Sequence, residues 1–412
     1  MDYSGHNSRK TCMRKLKVSQ LRPGMVFDSA VYIDPSNVLV QAKQELTQKD
    51  IDRLKKWGIE DVETSGQLMK EPEAASASAF DTRDEPTPVS ASFSAEALRL
   101  HSEYEQLRKN RNQFRTRLAE YGKTLEQNWK LLNEKKQFDN QAVLKVSQAL
   151  VDDLFAVPLI IIAARYRYVS ANPIIAHAVH AACYGVHLGK SLNFSRPRLQ
   201  EVCLSLLLMD SGMTRLPMDL YTTKTDLEDQ EKNAIRTHPL IGYKMLLNDA
   251  RVKASLAVVA LQHQESFNGK GYPQGLSGGQ IDVMARMARI VDTYTAQIEE
   301  RPYRPSKLPY ESMKNLLSLG TEQYDPKLLR AFLGCMGMYP LGSLIELSTG
   351  QIGLVVGANA EKPLRPVVRL MRDEKKLPYS GLSFLDLMEH TQVYIIRAIS
   401  EEDAGLDLEQ EM

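Results

Sequence analysis

Two aspartates stand where a helical core should be apolar. Leu199, Val202, Cys203, Leu206 and Asp210 fall at offsets 0, 3, 4, 7 and 11, and Ile281, Met284, Ala285, Ala288 and Asp292 repeat that spacing. This is the period of one helix face, so each carboxylate closes an inward stripe. Histidines take similar places in Ile174, His177, Ala181 and Leu188, and in Val252, Leu256, Val259, Ala260 and His263. His238 stands just before the helix-starting Pro239. A buried ionised carboxylate is costly unless it is paired or bound to metal. One such aspartate is ordinarily a core residue answered by a buried arginine. Two of them, converging with imidazoles from separate helices, point to a metal cage. Successive candidates are 33, 28, 25 and 29 residues apart, a helix plus a loop each time, which predicts a bundle with one ligand per helix.

The rest of the chain sets this bundle between smaller parts. The fold class expected is mainly α: a helical bundle with a small N-terminal α/β module and a small C-terminal β appendage. Residues 13–66 form the α/β module, with strand-like valine runs from Val18 to Val26 and Val31 to Val40 and a helix from Thr47 to about Trp57, ended by Gly58. Residues 67–93 gather Pro, Ser, Ala and acids and read as a flexible linker. Residues 94–140 hold a long amphipathic helix whose stripe includes Leu107, Phe114, Leu118, Tyr121, Leu125 and Leu132. That stripe suits either a helix laid along the next domain or a dimerising coiled coil. Residues 141–340 are the main helical domain, 341–398 a β-rich extension of short β-branched runs, and 399–412 an acidic tail expected to be disordered.

Composition narrows the function. With 52 basic and 51 acidic residues, nothing global argues for nucleic-acid binding. Cys12, Cys183, Cys203 and Cys335 form no CxxC pair, which argues against a disulfide framework and fits a reducing compartment. The longest apolar run, Leu154 to Ala164, is 11 residues and contains Pro158, too short to span a bilayer. A soluble, cytoplasmic protein is expected, with no membrane and no nucleic-acid polymer as partner.

The residues from His263 to Pro273, His-Gln-Glu-Ser-Phe-Asn-Gly-Lys-Gly-Tyr-Pro, pair a metal-ligand histidine with a glycine-punctuated turn. With Leu206 to Met213, Glu231 seven residues before His238-Pro239, and Ala288 to Arg304, they form ordered blocks from about His177 to Pro340. These blocks resemble HD-GYP domains, bacterial phosphodiesterases of cyclic di-GMP built on the HD-superfamily helical bundle. The N-terminal module, with Leu21-Arg22-Pro23-Gly24-Met25, is similar to a domain of unknown function that often precedes them.

The resemblance implies a two-ion site, of iron or manganese, bridged by Asp210. One ion would use His177, Asp210, Asp292 and position 209; the other would use Asp210, His238, His263 and position 264. Met209 and Gln264 replace an imidazole at each, Met213 replaces a lysine, and Asn268 replaces an aspartate. Reduced metal occupancy and strongly impaired hydrolysis are the expected result, with Asp210 as the residual catalytic position; the alternatives are a working hydrolase in which Gln264 and water complete the coordination, and an HD-superfamily hydrolase of another nucleotide. Gly271, Tyr272 and Pro273 would form the nucleotide-facing turn, and Arg301 and Arg304 the phosphate contacts. The resemblance further implies cyclic di-GMP as ligand and a signalling protein such as a diguanylate cyclase as partner. His180 and His187 are read as packing or surface residues.

Overall fold

The computed structural model describes residues 13–34, 37–56, 59, 61–70, 95–157, 161–162, 169–217, 220, 227–299, 306–379 and 383–411. The chain divides into two units, Met1–Ser90 and Ala91–Met412.

In the first unit, strands β1 (Arg14–Lys17), β3 (Val31–Asp34), β4 (Asn37–Val40) and β5 (Asp61–Thr64) form an antiparallel sheet in the order β1-β5-β3-β4. Short strands β2 (Val26–Phe27) and β6 (Leu68–Lys70) pair separately. The first strand lies ahead of Val18, which instead opens a 3-10 turn, and β6 lies within the span expected to be linker. Helix α1 (Gln48–Lys56) starts where Thr47 and Asp50 cap each other's backbone N–H; Trp57 and Gly58 lie outside the described residues. Val31, Leu46, Ile51, Leu54 and Val62 are buried in the core between them.

The second unit begins with the 39-residue helix α2 (Ala95–Asn133). Leu107, Phe114, Leu118, Tyr121, Leu125 and Leu132 are all buried, so this stripe is covered within the chain. Near its start the Arg369 guanidinium donates to the Tyr104 hydroxyl (2.7 Å), and farther along Tyr121 donates to Asp153 (2.8 Å). Then come α3 (Asn140–Ala156), α4 (Pro173–Ser191), α5 (Arg196–Leu208), α6 (Asp229–Ile235), α7 (His238–Lys244), α8 (Ala254–Gln262), α9 (Val283–Ile298), α10 (Pro309–Gln323) and α11 (Pro326–Met336). Asn172 and Asp282 cap α4 and α9 through their side-chain oxygens. Among the described residues, no helix is long and apolar enough to cross a membrane.

A five-stranded antiparallel sheet closes the unit. Its strands are β7 (Leu344–Leu347), β8 (Ile352–Gly357), β9 (Val367–Arg372), β10 (Phe384–Asp386) and β11 (Ile395–Ile399), in the order β10-β9-β8-β7-β11. The acidic tail is not disordered, which corrects the expectation from its composition. It folds into helical turns α12 (Glu401–Ala404) and α13 (Leu408–Glu411), with Leu406 and Leu408 buried and Arg372 donating to Glu411 (2.8 Å). Net charge alone missed this, because two leucines and one arginine on the sheet give the tail something to dock against.

Candidate metal centre

Five helices deliver five side chains to one place. His177 lies in the second turn of α4, Asp210 just past the end of α5, His238 at the first position of α7, His263 at the C-terminal cap of α8, and Asp292 within α9. Close backbone contact brings Asp210 to His238. A Cβ on Gly212 would lie 2.1 Å from the His238 carbonyl oxygen and 2.6 Å from the Gly242 nitrogen, so only glycine lets the turn after Asp210 press onto α7.

Two groups of ligand atoms result, Asp210–His238–His263 and His177–Asp210–Asp292, each within 4.8 Å of one another. Asp210 belongs to both. Its Oδ1 lies 3.3 Å from His238 Nε2 and 3.4 Å from His263 Nε2, while its Oδ2 lies 3.9 Å from His177 Nε2.

In the first group the protons can be assigned from geometry. His238 Nδ1 donates to the Ile235 carbonyl (2.7 Å) and His263 Nδ1 to the Ala260 carbonyl (2.9 Å). A carbonyl only accepts, so both Nδ1 atoms carry hydrogen. The two Nε2 atoms then face each other at 3.0 Å beside a carboxylate oxygen. With both rings neutral, three acceptors point at one spot, an arrangement a cation resolves, and imidazole with carboxylate is a donor set suited to a divalent metal ion. The residues present fit a divalent ion.

The second group is held differently. His177 Nε2 lies 2.8 Å from Asp292 Oδ1, and His177 Nδ1 lies 2.8 Å from Glu299 Oε2. Glu299 also takes His180 Nδ1 at 2.6 Å. Burial opposes charge on His177, but Glu299 and Asp292 hold its pKa up to about 10. Burial likewise opposes ionisation of Glu299, Asp210 and Asp292, yet each carboxyl is held below its usual range, Glu299 and Asp292 chiefly by His177 and Asp210 chiefly by His263. Burial and the neighbouring His263 depress His238, whereas Asp210 raises His263 against burial.

Glu299 and His180 therefore border the site: His180 is buried and tied to Glu299, and it joins neither group of ligand atoms. The signal was in the sequence: Glu299 follows Asp292 by seven residues, two helical turns on the same face. Gln264 also differs from expectation. Its amide oxygen accepts from Arg289 Nη1 (2.7 Å), and its amide nitrogen donates to Asp292 Oδ2 (3.0 Å), so it sits on the Asp292 side with its oxygen taken. Met209 is fully buried and Met213 nearly so.

The glycine turn lies alongside. Glu265 is buried and accepts from the Gln274 and Leu276 N–H groups (2.6 and 3.1 Å), organising the loop from within. A Cβ on Gly271 would lie 2.2 Å from the Ser266 nitrogen, so the loop closes tightly only with glycine there. Tyr272 is half-buried and Pro273 exposed. Burial, then the charge of Asp292, pushes the Tyr272 hydroxyl up to about 12, and the Arg236 guanidinium lies 4.8 Å from its ring centre. Arg301 and Arg304 lie outside the described residues.

Residues 170–328 match the HD domain family, and residues 344–406, the C-terminal sheet, match the KOW domain associated with HD domain. The chain is 32% identical over 194 residues to the cyclic di-GMP phosphodiesterase PA4108 of Pseudomonas aeruginosa, covering 47% of each. It is 24% identical over 243 residues to the cyclic di-GMP phosphodiesterase PdeB of Borreliella burgdorferi, covering 59% of this chain and 64% of that one. The matched stretch thus spans about half to two thirds of these curated relatives. Among solved structures, the HDG"Y"P protein Bd1817 of Bdellovibrio bacteriovorus aligns with a TM-score of 0.46 at 14% identity, covering 78% of this chain and 98% of that one.

Proposed function

From a chain that belongs to the HD-GYP family of HD-domain proteins, we propose a role in cyclic di-GMP signalling as a metal-holding nucleotide-binding protein with strongly impaired phosphodiesterase activity. The observation that carries the reading is the pair of three-donor groups sharing Asp210, with Met209 and Gln264 standing where the family resemblance implies imidazoles. His177, Asp210, His238, His263 and Asp292 are the side chains that would hold divalent iron or manganese. Ions bound there supply an activated water and neutralise phosphate charge.

The chain's own residues limit that chemistry. Met209 offers a soft thioether, a poor donor for these hard ions, and Gln264 has its oxygen committed to Arg289. Removing even a partner that only orients a metal ligand costs about 10–100-fold in affinity or activity, and here two ligand positions are altered. Met213 adds no positive charge toward a scissile phosphate. The Gly271-Tyr272-Pro273 turn is retained, and Arg301 and Arg304 are suited to phosphate because a guanidinium donates in pairs. Binding of cyclic di-GMP with contact to a signalling protein such as a diguanylate cyclase is the activity these features support.

Two measurements test this. Calorimetric titration with cyclic di-GMP should give saturable heat; no heat up to high micromolar ligand leaves only the protein-interaction role. Anaerobic loading with manganese or ferrous iron should give very slow conversion of cyclic di-GMP. Steady multiple turnover to pGpG or GMP would overturn the impaired reading.

A further inference from the structure

We propose that Arg289 is the built-in cation of the Asp292 half of the cage, so that this chain takes one divalent ion, between Asp210, His238 and His263, rather than two. The inference rests on the metal-holding reading and deepens it.

The two halves differ in what they still lack. Around Asp210 Oδ1, two imidazole Nε2 atoms and one carboxylate oxygen converge at 3.0 to 3.4 Å with no other group between them, both rings being anchored through Nδ1 to backbone carbonyls. Asp292 is already answered on both oxygens, Oδ1 by His177 Nε2 at 2.8 Å and Oδ2 by the Gln264 amide at 3.0 Å. Behind Gln264 stands Arg289, whose Nη1 reaches the amide oxygen at 2.7 Å. Amide and guanidinium form a relay that delivers positive charge toward the carboxylate.

Arg289 is not there as half of an ordinary ion pair. Among the described residues no carboxylate lies within 4.0 Å of its guanidinium, and its Nε is buried without a hydrogen-bond partner. It sits one helical turn before Asp292 on α9, on the same side. Its half-buried guanidinium is linked to Asp292 through the Gln264 amide, and a guanidinium carries its charge at any working pH. The hydroxyls of Tyr272 and Tyr324 feel the same field. A cation entering the Asp292 half would meet this fixed charge and would have to displace both His177 and Gln264 from Asp292.

The test is a metal count on the full chain. Metal-stripped protein is titrated with manganese(II) by calorimetry, and bound manganese is counted by elemental analysis after desalting. The unaltered protein should hold about one ion per chain; two ions of similar affinity, or none, overturn the proposal. Arg289→Met, similar in length but neutral, should admit a second ion, its affinity rising about 10–100-fold from the Coulomb term at protein-like dielectric. Arg289→Lys keeps the charge and should stay at one. A folded Arg289→Met protein that still binds a single ion with unchanged affinity also overturns it. Should that variant not fold, the count in the unaltered protein decides by itself. One ion without cyclic di-GMP heat would sink the nucleotide-binding role and leave this inference standing, whereas no ion at all would remove both the cage and the inference.

Discussion

The histidines on the two sides of Asp210 are all buried and all anchored, but by different partners, and the partner decides what the ring can do. His238 and His263 give their Nδ1 hydrogens to backbone carbonyls, which fixes the ring orientation and turns Nε2 toward the carboxylate, where a metal ion could take it. His177 lies between two carboxylates, Glu299 and Asp292, an arrangement that favours the charged ring. The same residue type is thus set up as a ligand on one side and as a cationic tie on the other. Counting histidines near an aspartate does not distinguish these; the group at the far nitrogen does.

The largest effect should come from the residue both sides share. Asp210→Asn keeps the shape and removes the charge, and manganese affinity measured by calorimetry should fall by more than about 100-fold, beyond the cost of losing an orienting partner. His263→Ala should approach the same loss. Glu299→Gln acts on the other side and should change affinity for the single ion by less than about 10-fold. Equal losses for His263→Ala and Glu299→Gln would break the asymmetry between the two sides.

A smaller effect concerns the backbone that brings the sides together. In Gly212→Ala the new methyl would meet the His238 carbonyl and the Gly242 nitrogen, neither of which can rotate away. Such overpacking costs about 1–3 kcal/mol, read as a lower denaturant midpoint, and manganese affinity should weaken with it because Asp210 and His238 move apart.

The parts of the cage legible in the sequence are those set by local spacing. The 3.6-residue period turned Asp210, Asp292, His177 and His263 inward, because a helix face depends only on spacing along one segment. The gaps between them foretold separate helices for the same reason. Glu299 and Arg289 also keep to the Asp292 face by spacing, but their meaning depends on α4 and on Gln264, which only the packed bundle brings near. The orientation of the Gln264 amide is a choice between two partners on α9, invisible in a list of residue types. In the C-terminal sheet, β7, β8 and β9 showed as β-branched runs. By contrast β10 is three residues long and β11 mixes buried Ile395 and Ile399 with exposed Ile396 and Arg397, too short and too mixed for a clear pattern.

The smallest effect is expected at a histidine on α4 outside the cage, where the same partner rule can be tried again. His187 Nε2 donates to the Cys335 carbonyl at 3.3 Å, with Lys190 nearby in place of a carboxylate. Burial, with Lys190 adding to it, depresses its pKa to about 4, whereas His177 ten residues earlier is raised to about 10. With the folded value below the unfolded one of about 6.5, the unfolded chain takes up a proton first as pH falls. The penalty is therefore absent above about pH 6.5, grows as pH drops, and is complete near pH 4. Two and a half pKa units correspond to about 3 kcal/mol, which partial exposure of His187 trims to about 1–2 kcal/mol. His187→Gln keeps an N–H donor and cannot titrate, so its melting temperature should decline less steeply than the unaltered protein's between pH 6.5 and 4. Parallel curves would mean that His187 is charged in the folded state, and that burial beside a carbonyl does not keep a histidine of this helix neutral.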